Sequence, residues 1–175
     1  MTSDERARTR ILGTLRSAHG QGVVAMEDRY DNDVDDVWSA LTDPRRLACW
    51  FSEVEGDPRL AGEYRERVFA SGWEGTVRVE AYEPPRRLGL TRTSDQAKVP
   101  VIGVEATLAV DGDHKTVVGI EVRGIPLDLL AAYGSGWQVH VEDLAAHLAG
   151  RPRGDAEARW DELTPAYEEL AATLG

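Results

Sequence analysis

The sequence has a single cysteine, Cys49, and few other residues that could anchor a metal or a covalent intermediate. One cysteine can form neither an intrachain disulfide nor a cysteine-based zinc site, so Cys49 is predicted to be a small helix-packing residue. The four histidines include no pair at the i, i+4 spacing of a helical metal site, and Glu142 and Asp143 are predicted to face solvent. No glycine-rich phosphate loop follows a predicted strand. We therefore expect no metal and no cofactor.

Long apolar runs and clusters of positive charge are also missing. No stretch approaches the roughly 20 apolar residues that span a bilayer, and residues 1–6 are charged and lead into no apolar segment. Asp and Glu number 31 against 20 Lys and Arg, and the resulting net charge of −11 repels phosphate backbones. We expect a cytoplasmic protein that neither inserts into a membrane nor binds nucleic acid.

What the sequence does contain is a series of segments in which apolar and polar residues alternate. A length of 175 residues suits one domain with one core. Residues 11–16 and 22–30 are predicted to form a hairpin, and residues 53–124 keep a period of two, which is typical of strands with one buried face. One face of the predicted sheet carries charges of both signs and should be solvated, whereas the aliphatic face needs a cover.

Helical spacing indicates what provides that cover. Residues 31–41 and a segment starting at Pro44 are predicted to be two short helices. Residues 126–149 are the long helical candidate, and at 1.5 Å per residue they would span about 35 Å, enough to cross the sheet. The triplet Gly134-Ser135-Gly136 interrupts this pattern, and it predicts a kink, a break or a close approach of another element.

The composition changes after residue 150, so residues 1–150 are predicted to be the main domain and residues 151–175 a helical extension. The pair Thr164-Pro165 is typical of a helix cap and a first-turn proline, which predicts one or two helices. The extension carries an apolar stripe at helical spacing: Trp160, Leu163, Tyr167 and Leu170. Because short isolated helices are marginal in water, this stripe must dock on the domain or on a second subunit.

Several stretches together resemble a known family. They are Val37-Trp38-Ser39-Ala40-Leu41-Thr42-Asp43-Pro44, Leu47-Ala48-Cys49-Trp50-Phe51, the segment from Gly75 to Leu88, Gly136-Trp137, and Leu144-Ala145-Ala146-His147-Leu148. On these residues the chain resembles the SRPBCC superfamily, which is related to START domains, and specifically the branch similar to the ATPase activator of the ninety-kilodalton heat-shock chaperone. The resemblance spans about residues 10 to 150. It implies an α+β helix-grip fold, in which a curved antiparallel sheet wraps around a long C-terminal helix and a cavity.

The resemblance also implies a function. Family members bind hydrophobic or amphipathic small molecules, some act as cyclases or dehydrases, and some bind a chaperone. The leading hypothesis is therefore binding of a small apolar or amphipathic ligand in the cavity between sheet and long helix. One alternative is a cyclase or dehydratase that uses the same cavity. The other is a protein-interaction module, co-chaperone-like or homodimeric, in which the tail stripe forms the contact.

The candidate ligand-binding residues are mostly aromatic, because ligand cavities are usually apolar with a few polar anchors. They are Trp38, Trp50, Phe51, Tyr64, Phe69, Trp73, Tyr133, Trp137 and His140. Any one of these aromatics would equally well fill the core. His140 is a candidate polar anchor or weak acid or base, and an ordinary satisfied or surface histidine is the alternative. Arg92 is predicted to be a rim residue unless it meets an acidic ligand group.

The sequence leaves open whether any reaction is catalysed. It contains no Gly-x-Ser-x-Gly elbow and no comparable arrangement of nucleophile and base. Catalysis in the cavity would require His140 to point inward, within hydrogen-bond reach of another polar side chain.

Overall fold

The computed structural model of the chain describes residues 10–60 and 62–174. The expectation about residues 1–6 lies outside these residues. Within them, no helix combines the length and the apolar character needed to cross a membrane.

In the described part of the chain, eight strands form one curved sheet in which every neighbouring pair is antiparallel. The strands are β1 (Gly13–Ala18), β2 (Gln21–Tyr30), β3 (Ser52–Glu55), β4 (Glu63–Val68), β5 (Glu74–Glu83), β6 (Arg87–Ser94), β7 (Ile102–Val110) and β8 (Thr116–Ile125). Their order across the sheet is β1-β2-β8-β7-β6-β5-β4-β3. The predicted α+β helix-grip fold is confirmed.

The first hairpin has a shorter loop than predicted. The strands β1 and β2 are joined by His19 and Gly20 alone, and both residues have positive φ, at 54° and 79°. Two consecutive residues of positive φ give the turn whose twist matches the twist of antiparallel strands. The strands therefore extend right up to this turn on each side.

Two short helices lie between β2 and β3, as predicted. They are α1 (Val34–Thr42) and α2 (Pro44–Trp50). Asp43 separates them, and its side chain accepts a hydrogen bond from the Arg45 backbone N–H at 2.9 Å, which satisfies a free donor at the start of α2. Cys49 was expected to pack inside the protein, and this prediction is wrong. Cys49 is exposed on α2, where its Sγ donates to the carbonyl of Arg45.

The long helix α3 (Leu130–Leu148) crosses the aliphatic face of the sheet, after a single 3-10 turn at Leu127–Leu129. It buries Leu130 and Val139 in a cluster with Val24 and Val122, and Leu144 in a second cluster with Val118. The glycine triplet does not break α3. Of the three outcomes that the triplet predicted, the close approach occurs, because a Cβ atom on Gly134 would lie 2.5 Å from the Tyr167 ring.

The extension is one helix, α4 (Ala156–Ala172), and the expectation that Pro165 opens a helix is wrong, since Pro165 lies inside α4. The helix instead begins at Asp155, whose side chain accepts from the Ala158 N–H at 3.0 Å. Leu163 and Tyr167 are fully buried on either side of the proline, and this packing holds the helix together across the missing N–H. The stripe thus docks on its own chain. The independence of residues 1–150 as a domain stays a prediction.

The tail is fixed by a buried hydrogen-bond network. The Tyr167 hydroxyl donates to Gln138 Oε1 at 2.5 Å and accepts from the Gly13 N–H at 3.0 Å. Gln138 also accepts from the Leu12 N–H at 3.0 Å and donates to the Arg10 carbonyl at 2.7 Å. Because these groups are largely buried, each hydrogen bond satisfies a polar group that would otherwise have no partner. The network joins α3, α4 and the start of the described chain.

Candidate functional site

Two cavities lie beside α3 in the part of the chain that the structure describes. The larger has a volume of about 680 Å³ and is bounded by α3, the turn before β5, the end of β6 and the first turns of α4. The smaller has a volume of about 70 Å³ and lies between α3, α2 and the aliphatic face of the sheet. Arg92, Trp137 and His140 border both cavities and separate them.

Most of the candidate ligand-binding residues border one of these spaces. Trp73 and Tyr133 line the larger cavity, together with Trp137 and His140. The smaller cavity is lined by Trp50, Phe51 and Tyr64, again with Trp137 and His140. The structure thus brings together aromatic residues from α2, β4, the β5 turn and α3.

Trp38 and Phe69 line neither cavity. Trp38 is buried on α1, and its ring packs against Tyr82 with centroids 5.6 Å apart, so it belongs to the core at the other end of the sheet. Phe69 follows β4, and the guanidinium groups of Arg67 and Arg153 lie 5.9 and 5.0 Å from its ring centroid. Neither residue therefore belongs to the candidate site.

Arg92 was expected at the rim, and this expectation is wrong: only 4% of its surface is exposed. Its Nη1 donates to Glu66 Oε1 at 2.5 Å, and Glu66 Oε2 accepts from the Ser52 hydroxyl at 3.0 Å. A buried charge is tolerated when it is paired and hydrogen-bonded in this way. The alternation along each strand does indicate that both residues point inward, since Arg92 lies on the same strand face as Leu88 and Glu66 on the same face as Tyr64.

Aromatic rings surround the Arg92 guanidinium. Its Cζ lies 4.2 Å from the ring centroid of Trp73, 5.6 Å from that of Phe51 and 5.9 Å from that of Trp137. These distances suit cation–π attraction, which strengthens when the cation is desolvated. The Nε and Nη2 atoms donate to none of the residues that the structure describes. They are hence the donors that Arg92 has left for a molecule in the cavity.

His140 points inward, between two aromatic rings. Its ring makes edge contacts with Phe51 and Trp137, with centroids 5.0 and 5.3 Å away. Burial and, to a smaller extent, the nearby positive charge of Arg92 together lower the pKa of His140 to about 3. His140 is therefore neutral at pH 7. Among the described residues it has no hydrogen-bond partner, so the polar neighbour that acid–base catalysis would require is missing there.

The C-terminal helix supplies one wall of the larger cavity, which the sequence did not indicate. Ala156, Glu157 and Trp160 of α4 border it. Trp160 is 37% exposed, and its Nε1 lies 3.4 Å from the carbonyl of Ala132 on α3. Across the cavity from α4, Gly136 of α3 leaves room, since a Cβ atom added there would meet no atom within 4 Å.

The opening of the larger cavity carries negative charge. Glu74, Asp95 and Glu157 border it, and Asp95 is paired with Arg65 at 2.5 Å. Glu74 and Glu157 are exposed, and neither forms an ion pair with another described residue. The rim is therefore acidic, whereas the only cation that lines this cavity among the described residues, Arg92, is already neutralised by Glu66.

The curved sheet closed by a long helix, with a cavity between them, defines a helix-grip protein of the SRPBCC type. A family model described as activator of Hsp90 ATPase homolog 1-like protein matches residues 31–149. The chain belongs to this family. The first hairpin and α4 lie outside the matched segment.

Solved structures agree with this assignment. CalU16 from Micromonospora echinospora is 26% identical over 91% of this chain and 96% of its own, with a TM-score of 0.72. DynU16, described as a protein in the dynemicin biosynthetic locus, is 30% identical over 76% of this chain and 50% of its own, with a TM-score of 0.66. EF2215 from Enterococcus faecalis, at 16% identity and a TM-score of 0.71 over 93% of this chain and 92% of its own, shares the fold. No curated protein gives a significant match.

Proposed function

We propose that this protein binds a small apolar or amphipathic molecule in the larger cavity, between the sheet and α3. The observation that carries the proposal is a chamber of about 680 Å³ with Trp73, Tyr133 and Trp137 around a buried Arg92. Ligand sites are commonly about 300–1,000 Å³, largely apolar, with a small number of polar groups that orient the ligand. The composition and size of this chamber match that description.

The comparisons support the same proposal at the level of the family. DynU16, which is 30% identical over 76% of this chain, is described as a protein in the dynemicin biosynthetic locus. The proposal for this chain rests on its own cavity, however, since a shared fold does not define a ligand.

Neither alternative function gains comparable support. The enzyme hypothesis needs a polar partner within hydrogen-bond reach of His140, and no described residue forms a hydrogen bond with its ring, which contacts Phe51 and Trp137. The interaction hypothesis needs a free tail stripe, and Leu163 and Tyr167 are buried against their own chain. We therefore base the experiments on ligand binding.

Titration with N-phenyl-1-naphthylamine tests the proposal, because the fluorescence of this neutral probe rises in apolar surroundings. We expect saturable binding to the wild-type protein. The substitution Gly136→Phe should reduce the affinity at least about tenfold, since it places a ring in open space on the cavity wall. A natural ligand that co-purifies with the protein would compete with the probe. In that case probe binding should increase after the protein has been unfolded, freed of this ligand and refolded.

Gly103→Phe is the matched control. Gly103 lies on β7 between two inward-facing residues, and a Cβ atom there also meets no atom within 4 Å. This variant adds the same side chain on the outer face of the sheet and should bind the probe like the wild type. Absence of probe binding to the stripped wild-type protein would refute the proposal, and equal binding by the Gly136→Phe variant would place the ligand elsewhere.

A further inference from the structure

The polar group at the inner end of the larger cavity is a donor, which restricts the chemistry of the ligand. Arg92 uses only Nη1 in its bond to Glu66, and Nε and Nη2 donate to no described residue. Neither atom is sealed off from the cavity, since the Tyr30 hydroxyl is the only fully buried side-chain polar atom without a partner among the described residues. Hydrogen bonds from a charged donor are stronger than those between neutral groups. A ligand atom that accepts hydrogen bonds at this place would therefore gain affinity.

The charges around Arg92 favour a neutral acceptor over an anionic one. Glu66 already balances the guanidinium at 2.5 Å, so a ligand carboxylate would leave a net negative charge in a buried site. The ligand would also have to pass Glu74 and Glu157 at the rim, which repel anions. His140 offers no compensating positive charge, because it is neutral.

The side chains beside the acceptor position favour a flat ring. The Trp73 ring covers the guanidinium at 4.2 Å, and Trp137 borders the same space from α3. Tyr133 and Trp160 line the cavity further out. Planar aromatic groups stack well on such surfaces, in offset or edge-to-face arrangements.

From these observations we infer that the ligand is an uncharged aromatic carbonyl compound, whose ring lies among these aromatic residues and whose carbonyl oxygen accepts a hydrogen bond from Nε or Nη2 of Arg92. This inference rests on the proposed function and deepens it by naming a ligand class. It separates aromatic ketones and related neutral carbonyl compounds from carboxylic acids and from plain hydrocarbons of the same shape.

Three naphthalenes of similar size test the inference by isothermal titration calorimetry on the full-length protein. They are 2-acetylnaphthalene, 2-naphthoate and 2-ethylnaphthalene. We expect the ketone to bind about tenfold more tightly than the hydrocarbon, because it adds a hydrogen bond to a charged donor. The carboxylate should bind more weakly than the ketone.

Each outcome distinguishes the inference from the proposed function. Equal affinity of ketone and hydrocarbon would overturn the inference and leave the proposed function standing. Tightest binding of 2-naphthoate would overturn the charge argument and with it the inference. Absence of binding by all three compounds would count against both.

A double variant locates the effect at Arg92. Arg92→Met with Glu66→Gln removes both charges together, so that neither is left buried without its partner, and the new amide oxygen can still accept from Ser52. The ratio of ketone affinity to hydrocarbon affinity should fall from about ten to about one. Arg67→Met is the control, because Arg67 pairs with exposed Glu53 and lines neither cavity. An undiminished ketone preference in the double variant would overturn the inference, and if that variant does not fold, the wild-type series still decides.

Discussion

The two faces of α3 differ in packing: one is in close contact with α4, and the other borders a cavity. On one face, Gly134 and Gln138 lie directly against Tyr167 of α4, with no space between them. On the other, Gly136 and Trp137 border a cavity of about 680 Å³. We call the first the packed face and the second the cavity face.

The difference shows that glycine serves two purposes on α3, at positions that are only two residues apart. Glycine at 134 is required because a neighbouring ring comes too close for any side chain. Glycine at 136 has no such neighbour, and it enlarges a space that a side chain would fill. The packed face thus secures the fold, and the cavity face is free to serve a ligand.

Large-to-small substitutions should give the greatest contrast between the faces. Tyr167→Ala removes a fully buried ring and its two hydrogen bonds, and we expect a loss of about 3–5 kcal/mol in the free energy of unfolding. Trp137→Ala should cost clearly less, because this ring already borders open space. Urea denaturation monitored by circular dichroism measures both. Equal losses would contradict the division of α3 into two faces.

Adding one methyl group to each glycine tests the same comparison on a smaller scale. Gly134→Ala forces a Cβ atom to within 2.5 Å of the Tyr167 ring, and overpacking of this kind should destabilise the protein by about 2 kcal/mol. Gly136→Ala meets no atom, and its better helix propensity should stabilise the protein by up to about 1 kcal/mol. The two variants are measured side by side by urea denaturation. A change of the same sign in both would contradict the comparison.

Local patterns were sufficient to predict most of the strands and helices. The period of two in the strands and the helical spacing around α1, α2 and α3 depend on neighbouring residues and on which side faces the core. The family resemblance then supplied the arrangement of sheet and helix. The packed face was harder to foresee, because the close approach at Gly134 depends on Tyr167, a residue 33 positions later in the chain.

The site was predicted in part, for a similar reason. Aromatic content pointed to the region around Trp73 and Trp137, but it could not separate these residues from Trp38, which fills the core. Arg92 and Glu66 both lie at inward positions of their strands, yet their pairing depends on the two side chains reaching each other across the sheet. That α4 forms one wall of the larger cavity could not be predicted without knowing where the tail docks.

Asp143 provides a pH test in the second half of α3, where Arg153 and Gly154 of the linker to α4 act on its carboxyl group. It was expected to face solvent, and this expectation is wrong, because only 6% of its surface is exposed. Burial raises the pKa of Asp143 to about 6, although Arg153 and the Gly154 N–H act in the opposite direction. Since the folded state holds the proton more tightly than the unfolded state, stability from this group is present below pH 3.8 and is lost as the pH rises through 6.

Asp143→Asn should therefore stabilise the protein by about 1–2 kcal/mol at pH 7.5 and have little effect at pH 3.5, because the neutral amide has no proton to lose. This gain is smaller than the full linkage value, since the linker that covers Asp143 is itself exposed to water. Asp113→Asn, at an exposed turn, is the control. A constant difference between mutant and wild type at all pH values would contradict the assignment.

His140 provides the opposite test on the cavity face, with the smallest expected effect. Its pKa is lowered to about 3 in the folded protein from 6.5, mainly by burial and then by Arg92. The unfolded state therefore binds the proton more tightly, and stability present at pH 8 is lost as the pH falls below 6.5. His140→Phe keeps a ring between Phe51 and Trp137 but cannot be protonated. From pH 8 to pH 6 the wild type should lose about 0.8 kcal/mol more than this variant. Urea denaturation of both proteins at the two pH values, without ligand, measures this difference. Parallel pH profiles of wild type and variant would mean that the His140 ring is open to solvent rather than enclosed between the cavities.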